Sequence, residues 1–194
     1  MDAPTLAKGF NISEALAETW LPAFLETFTK YDISTPERQA GFLGQVAVES
    51  GCLKWTREIW GPTAQQKRYE RNQQAAWPPT PQDQTNKLAY ELGNFDVGDG
   101  FNFRGGGLIQ TTGRTNYVAL TLHLDHDFIS NPADIALPEW SCLSAGYYWN
   151  SKDLNTFADA QDWKTITLKV NGGLTAFQER VQFTESFLTL LKGP

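Results

Sequence analysis

Apolar side chains recur along this chain at helical rather than strand spacing. Leu16, Trp20, Phe24 and Phe28 follow one another every four residues, and Pro22 in their midst predicts two helices divided near Leu21. Thr35-Pro36 predicts a helix start, a capping hydroxyl followed by a proline at the first helical position. That helix puts Ala40, Leu43 and Ala47 on one stripe with Phe42 and Val46 beside it, and should end at Ser50-Gly51. Glu49 falls in its last turn. The pattern then weakens until Gly107, where Trp77-Pro78-Pro79-Thr80-Pro81 predicts a loop between two short helices, over about 63–71 and 82–92. Helical spacing returns afterwards. Thr112 should cap a run to about 122, Pro138 opens one to about 149, and Asp162 opens one that ends at Asn171-Gly172. A last helix over about 176–191 carries Val181, Thr184, Leu188 and Leu191 on one face. Strand signals reduce to one short hairpin near 95–103. The expectation is a mainly α single domain over 1–194, with a larger helical lobe (1–50 and 108–194) and a smaller inserted lobe (51–107).

Composition narrows what such a domain binds. At 194 residues and 41% hydrophobic, the chain can bury one sizeable core. Its 16 Lys and Arg against 22 Asp and Glu leave a net charge of −6, the wrong sign for gripping nucleic acid. Seven Trp stand beside 12 Phe and six Tyr, flat rings that build cores and also sugar-stacking platforms. Cys52 and Cys142 are too few for a disulfide framework and are expected as free thiols. The first ten residues lack a basic region followed by an apolar run, and no stretch is apolar enough to span a membrane. A soluble protein made in the cytoplasm, without membrane insertion, is expected.

Few side chains offer chemistry. Cys52, Cys142, His123 and His126 have no metal-site spacing, so neither metal nor cofactor is expected, and the two histidines are read as complementing a helix C-terminus. Arg104-Gly105-Gly106-Gly107 lacks the ending of a phosphate loop, and Phe95-Asp96-Val97-Gly98-Asp99-Gly100 lacks the closing Glu of a helix-loop-helix calcium site. Both read as glycine turns. Carboxylates are better placed. Glycoside hydrolysis needs a protonated acid and an ionised partner, and Glu49 ends an apolar helix, where low dielectric and the terminus favour the protonated form. Glu58, nine residues on between Trp55 and Trp60, could face it across a cleft.

Three stretches together carry a resemblance. Phe42-Leu43-Gly44-Gln45-Val46-Ala47-Val48-Glu49-Ser50-Gly51, then Glu58, precede Phe103-Arg104-Gly105-Gly106-Gly107-Leu108-Ile109-Gln110-Thr111-Thr112-Gly113-Arg114-Thr115-Asn116-Tyr117, and Val170-Asn171-Gly172-Gly173 follows. In this order they resemble glycoside hydrolase family 19, and the compact length and short Glu49–Glu58 spacing are most similar to its endolysins from phages of Gram-negative hosts. The resemblance implies a lysozyme-like two-lobed fold with a deep groove and an inverting mechanism, whose carboxyl groups stand roughly 6.5–9.5 Å apart. It makes Glu49 the general acid, Glu58 the general base and Thr112 the hydroxyl that helps Glu58 hold water. Gln110, Asn116, Tyr117 and Asn171 would line sugar subsites, and Trp60, Trp55 and Trp77 are stacking candidates. Thr112 could equally cap the next helix, and Asn171 could simply end one.

Two positions depart from the family pattern. Val48 stands where a histidine is common, and Gly106 where an arginine is common, so Arg104 would have to substitute or Glu58 be held differently. Arg180 reads as a buried ion-pair partner outside the site. The function implied is a muramidase-type endolysin, a monomer that reaches the periplasmic peptidoglycan strands after a separate holin opens the membrane. A chitinase and an inactive glycan-binding protein are the alternatives. Because peptidoglycan is itself anionic, an acidic protein must recognise it by stacking and hydrogen bonds inside a groove rather than by its overall field.

Overall fold

A computed structural model describes residues 1–193. Among them run eleven α-helices: α1 Ala3–Phe10, α2 Glu14–Lys30, α3 Pro36–Ser50, α4 Ala64–Lys67, α5 Lys87–Leu92, α6 Asp99–Asn102, α7 Arg114–Leu124, α8 Pro138–Ser151, α9 Leu154–Asp159, α10 Trp163–Asn171 and α11 Phe177–Lys192. The mainly α, lysozyme-like expectation holds, and no sheet forms among the described residues.

Local signals explain the long helices. Asp2, Ser13, Thr35 and Asp162 cap α1, α2, α3 and α10 by accepting from backbone N–H groups three residues on. α3 ends in a Schellman turn, with Cys52 N–H donating to Ala47 O (2.8 Å) and Gly51 N–H to Val48 O (3.4 Å). This helix is the axis of the core: every residue from Ala40 to Ala47 is buried. Phe42 meets Phe24, Phe28 and Trp149 edge-on at 5.5–6.4 Å. Each such ring contributes about 1.5–3 kcal/mol on burial. α11 packs along α3 so closely that a Cβ on Gly44 would stand 2.1 Å from Thr184 Oγ1.

Several expectations are corrected. Pro22 does not divide its helix; α2 runs unbroken from Glu14 to Lys30. The carbonyl that Pro22 leaves unbonded belongs to exposed Glu18, which water can reach, while Trp20, Ala23, Phe24 and Phe28 bury the opposite face. Thr112 does not cap α7: Gly113, at φ +96°, is the N-cap residue, and no side chain bonds there. A Cβ on Gly113 would lie 2.7 Å from Leu92 O, so the chain turns there through a space only glycine fits. In place of the 95–103 hairpin stands α6, with isolated bridges Arg57–Gly106 and Gly106–Thr111 nearby. α9 had no sequence signal strong enough to predict it. The two cysteines are free thiols, Cys142 buried and Cys52 half-buried. The histidines do not cap α7 as a charged pair. Burial and then Lys30 hold His123 below its usual basicity between the rings of Tyr31 and Tyr147, and His126 lies beyond the helix, stacked on Trp140 and bonded to Asp134.

Candidate active site

Glu49 reaches the surface where α3 stops. Its carboxylate Oε1 accepts from Arg180 Nη2 of α11 at 2.6 Å, and the side chains are 18% and 3% exposed. Arg180 is fully engaged: Nη1 donates to Gln45 Oε1 (2.8 Å) and Nε to Thr175 O (3.2 Å). Gln45 and Glu49 lie one turn apart on α3, so a single guanidinium from α11 reads both. Arg180 is thus the ion-pair partner the sequence suggested, but its partner is Glu49, which puts it inside the site. The helix end therefore presents a buried guanidinium to Glu49.

Glu58 is held by backbone rather than by charge. Residues 56–58 run extended beside the glycine segment, with Glu58 N–H donating to Gly105 O (2.8 Å) and Gly107 N–H to Thr56 O (2.9 Å). The carboxylate accepts from Gly105 N–H at 3.1 Å and from the buried Gln66 amide at 2.9 Å. Gln66 in turn closes a capping box with Thr63 at the start of α4. A Cβ on Gly105 would lie 2.7 Å from Gln110 Oε1 and 3.4 Å from Glu58 Oε2, so the missing side chain is the room in which these two groups meet.

Why no arginine stands at Gly106 is steric. A Cβ there would be 2.5 Å from both Ile135 Cγ2 and Tyr117 Oη. Arg104 does not replace it at the carboxylate, because its Nε donates to the Glu58 carbonyl at 2.9 Å and braces the backbone instead.

A series of hydrogen bonds runs from the end of α3 to Gln110. Trp55 N–H donates to Ser50 O (2.8 Å), beside Glu49, and Trp55 O accepts from Gln110 Nε2 (3.4 Å). Thr112 Oγ1 donates to Gln110 O at 2.9 Å, and Asn116 Nδ2 to Thr112 O at 2.7 Å. Gln110, Thr112 and Asn116 all line one groove of about 540 Å³, whose far wall includes Tyr147, Tyr148 and Lys152. Neither carboxylate borders that volume. Tyr148, on its wall, lies within reach of the Glu49 charge: burial first, and then that charge, weaken the acidity of the Tyr148 phenol.

Other predicted site residues lie elsewhere. Tyr117 has no exposed surface, and its hydroxyl donates to Arg104 O at 2.9 Å, so it supports the glycine segment from beneath and does not line a subsite. Burial lifts its phenol to about 12. Asn171 is exposed at the end of α10, next to Val170 on the groove. Trp60 packs edge-on against Phe101 at 5.6 Å, on the Glu58 side. Trp55 is 45% exposed, whereas Trp77 is packed by Tyr90, Phe95 and Arg71. Sequence reasoning passed over Gln45, Gln66 and Tyr148. Gln45 lies one helical turn before Glu49, a spacing that could have flagged it.

No family model matches the sequence. A glycosyl hydrolase family 19 domain-containing protein of Haemophilus influenzae is 31% identical over 170 residues, an alignment covering 78% of each chain. Among solved structures, chitinase C of Streptomyces griseus superposes with a TM-score of 0.69 at 18% identity, covering all of this chain and 78% of that one. A bacterial family 19 chitinase gives 0.68 at 16% identity, covering all of this chain and 95% of its own. These two establish likeness of fold, and the Haemophilus relative carries the assignment further. By that identity, over more than two thirds of both chains, this chain belongs to glycosyl hydrolase family 19.

Proposed function

We propose that the protein hydrolyses β-1,4 bonds in the glycan strands of peptidoglycan, as an N-acetylmuramidase that inverts at the anomeric carbon. The observation that supports the two-carboxylate reading is the pair of unlike holds, Arg180 on Glu49 and the Gly105 and Gln66 N–H groups on Glu58, with Ser50, Trp55 and Gln110 bonded in series between them. Arg180 occupies Oε1 of Glu49, which leaves Oε2 to carry the proton given to the departing sugar oxygen. Glu58, fixed by two N–H donors, takes a proton from water on the opposite face of the ring. Thr112 spends its hydroxyl hydrogen on Gln110 O and keeps its lone pairs for the second hydrogen of that water. One C–O bond breaks and one forms, and each product keeps one hydroxyl.

Peptidoglycan as substrate draws on the short spacing between the acids and the resemblance to phage endolysins. In that setting the protein acts in the periplasm after a holin releases it, and lyses the host. The two structural relatives named as chitinases favour chitin as the second reading. Purified peptidoglycan and chitin, each incubated with the protein and with Glu49→Gln, decide between them when new reducing ends are identified by mass spectrometry. Muramic acid ends are expected, with kcat for Glu49→Gln lower by roughly 10²–10⁴-fold. Cleavage confined to chitin would sink the peptidoglycan reading, and a fully active variant would remove Glu49 from the acid role.

A further inference from the structure

Three of the seven arginines hold carboxylates. Arg38 pairs with Asp32 and Asp159, Arg114 with Asp96 and Asp99, and Arg180 with Glu49. Arg57, Arg68, Arg71 and Arg104 pair with none among the described residues, although acids outnumber bases by 22 to 16, and of these Arg57 and Arg104 are neighbours. Arg57 donates to the carbonyls of Pro132 and Asn102, and Arg104 to those of Glu58 and Phe101. Arg57 Nε, like Arg71 Nε elsewhere, is buried without a partner. The two guanidiniums repel: burial first, and then the Arg57 charge, hold Arg104 below its ordinary basicity. Leaving two like charges half-buried side by side is costly unless an anion completes them.

Both arginines line a second cleft, of about 420 Å³, with Phe101, Asn102 and the 130–134 segment. Asp134 is the one acid on its wall, and it is bonded to His126. Around the isolated bridge of Arg57 to Gly106 the two neighbouring side chains have different partners, Arg57 reaching Pro132 and Asn102 and Glu58 reaching Gly105 and Gln66. Arg57 therefore faces the cleft, and Glu58 faces Gly105 and Gln66.

We propose that this cleft is a carboxylate-binding subsite for the stem peptide of peptidoglycan, with Arg57 and Arg104 as its donors; the inference rests on the peptidoglycan reading above. Guanidinium forks match carboxylates in planar geometry. Each muramic acid residue bears a short peptide with several free carboxylates, and each extended residue spans roughly 3.3–3.6 Å, enough for a few residues to pass from a sugar beside Glu58 around the strand. Chitin offers no such group, so the cleft distinguishes the two polymers.

The test uses the intact protein carrying isotope-labelled arginine, titrated with the free stem tetrapeptide (L-Ala-γ-D-Glu-meso-diaminopimelate-D-Ala) and with its fully amidated form. The Arg57 and Arg104 Nε signals are expected to move with the acid and not with the amide. Ala133→Glu places a competing carboxylate on an exposed wall position and should abolish that response. In turnover it should raise KM for peptide-bearing strands roughly fivefold, about 1 kcal/mol of binding, while leaving amidase-stripped strands unaffected. No arginine response at millimolar peptide overturns the subsite, whether or not any strand is cleaved. Equal KM for stripped and peptide-bearing strands, unchanged in Ala133→Glu, overturns it too and leaves the muramidase reading standing. Failure to cleave either strand sinks the muramidase reading instead, and the titration still decides the subsite.

Discussion

Glu49 and Glu58 sit in regions held together by different physics. Around Glu49, α3 and α11 pack into the apolar core, and Gln45, Arg180 and Glu49 form a network between side chains far apart in sequence. Around Glu58, the chain from 51 to 113 has only short helices and is wired by polar side chains to backbone. Buried Asn86 bonds Asn72 and Ala76, Glu70 accepts from Gly98 and Phe101, and Asn94 joins Tyr69 to Arg114. The contrast teaches that the first carboxylate depends on which side chains a distant helix presents, and the second on where the backbone can pass.

The strongest way to break that contrast is Arg180→Met. It leaves Glu49 without its charge partner in a nearly buried site and should cost about 3–5 kcal/mol of stability, read by urea denaturation, together with activity. A loss below about 1 kcal/mol would mean that the network is peripheral. The next effect is alkaline. The folded Tyr117 phenol titrates near 12 against 10.0 when free, so the unfolded state gives up its proton first as pH rises. The stability Tyr117 contributes is whole below pH 10 and is lost between pH 10 and 12, up to roughly 3 kcal/mol. Tyr117→Phe should flatten that part of the pH–stability curve, and a curve of unchanged shape would contradict the assignment. The smallest effect on stability is expected from Gly105→Ala. Its new methyl group pushes on the movable Gln110 amide and should cost under about 1 kcal/mol, yet it disturbs the Glu58 pocket and should lower kcat roughly tenfold. If this variant melts as early as Arg180→Met, the two regions are not held differently.

This division also decides what the sequence could reveal. Thr35, Pro36 and Gly51 bound α3 through local capping, and the apolar run between them is visible without any tertiary knowledge. Glu49, Glu58, Gln110 and Thr112 were found because their motifs keep family order. Arg180 was misplaced because its partner is 131 residues away and only packing brings them together. α6 replaced the predicted hairpin for a similar reason: Asp99 is tied by Arg114, and Glu70 holds the backbone at Gly98 and Phe101. Tyr117 sits in a matching motif, but only the fold buries it under the glycine segment.

The end of α3 has one more consequence. Gly51, Cys52 and Leu53 follow one another with φ of +57°, +57° and +68°, a run that costs roughly 1–2 kcal/mol for each residue other than glycine. Ser50 fastens it, its hydroxyl accepting from Leu53 N–H and its carbonyl from Trp55 N–H. The stretch between the two carboxylates is therefore a rigid spacer. One residue inserted between Trp55 and Arg57 would reverse the alternation of the strand, turning Glu58 toward the arginine cleft and an arginine toward the sugar. Among relatives that share this short spacing, length variation should accordingly collect at exposed turns such as 72–74 rather than within 51–57.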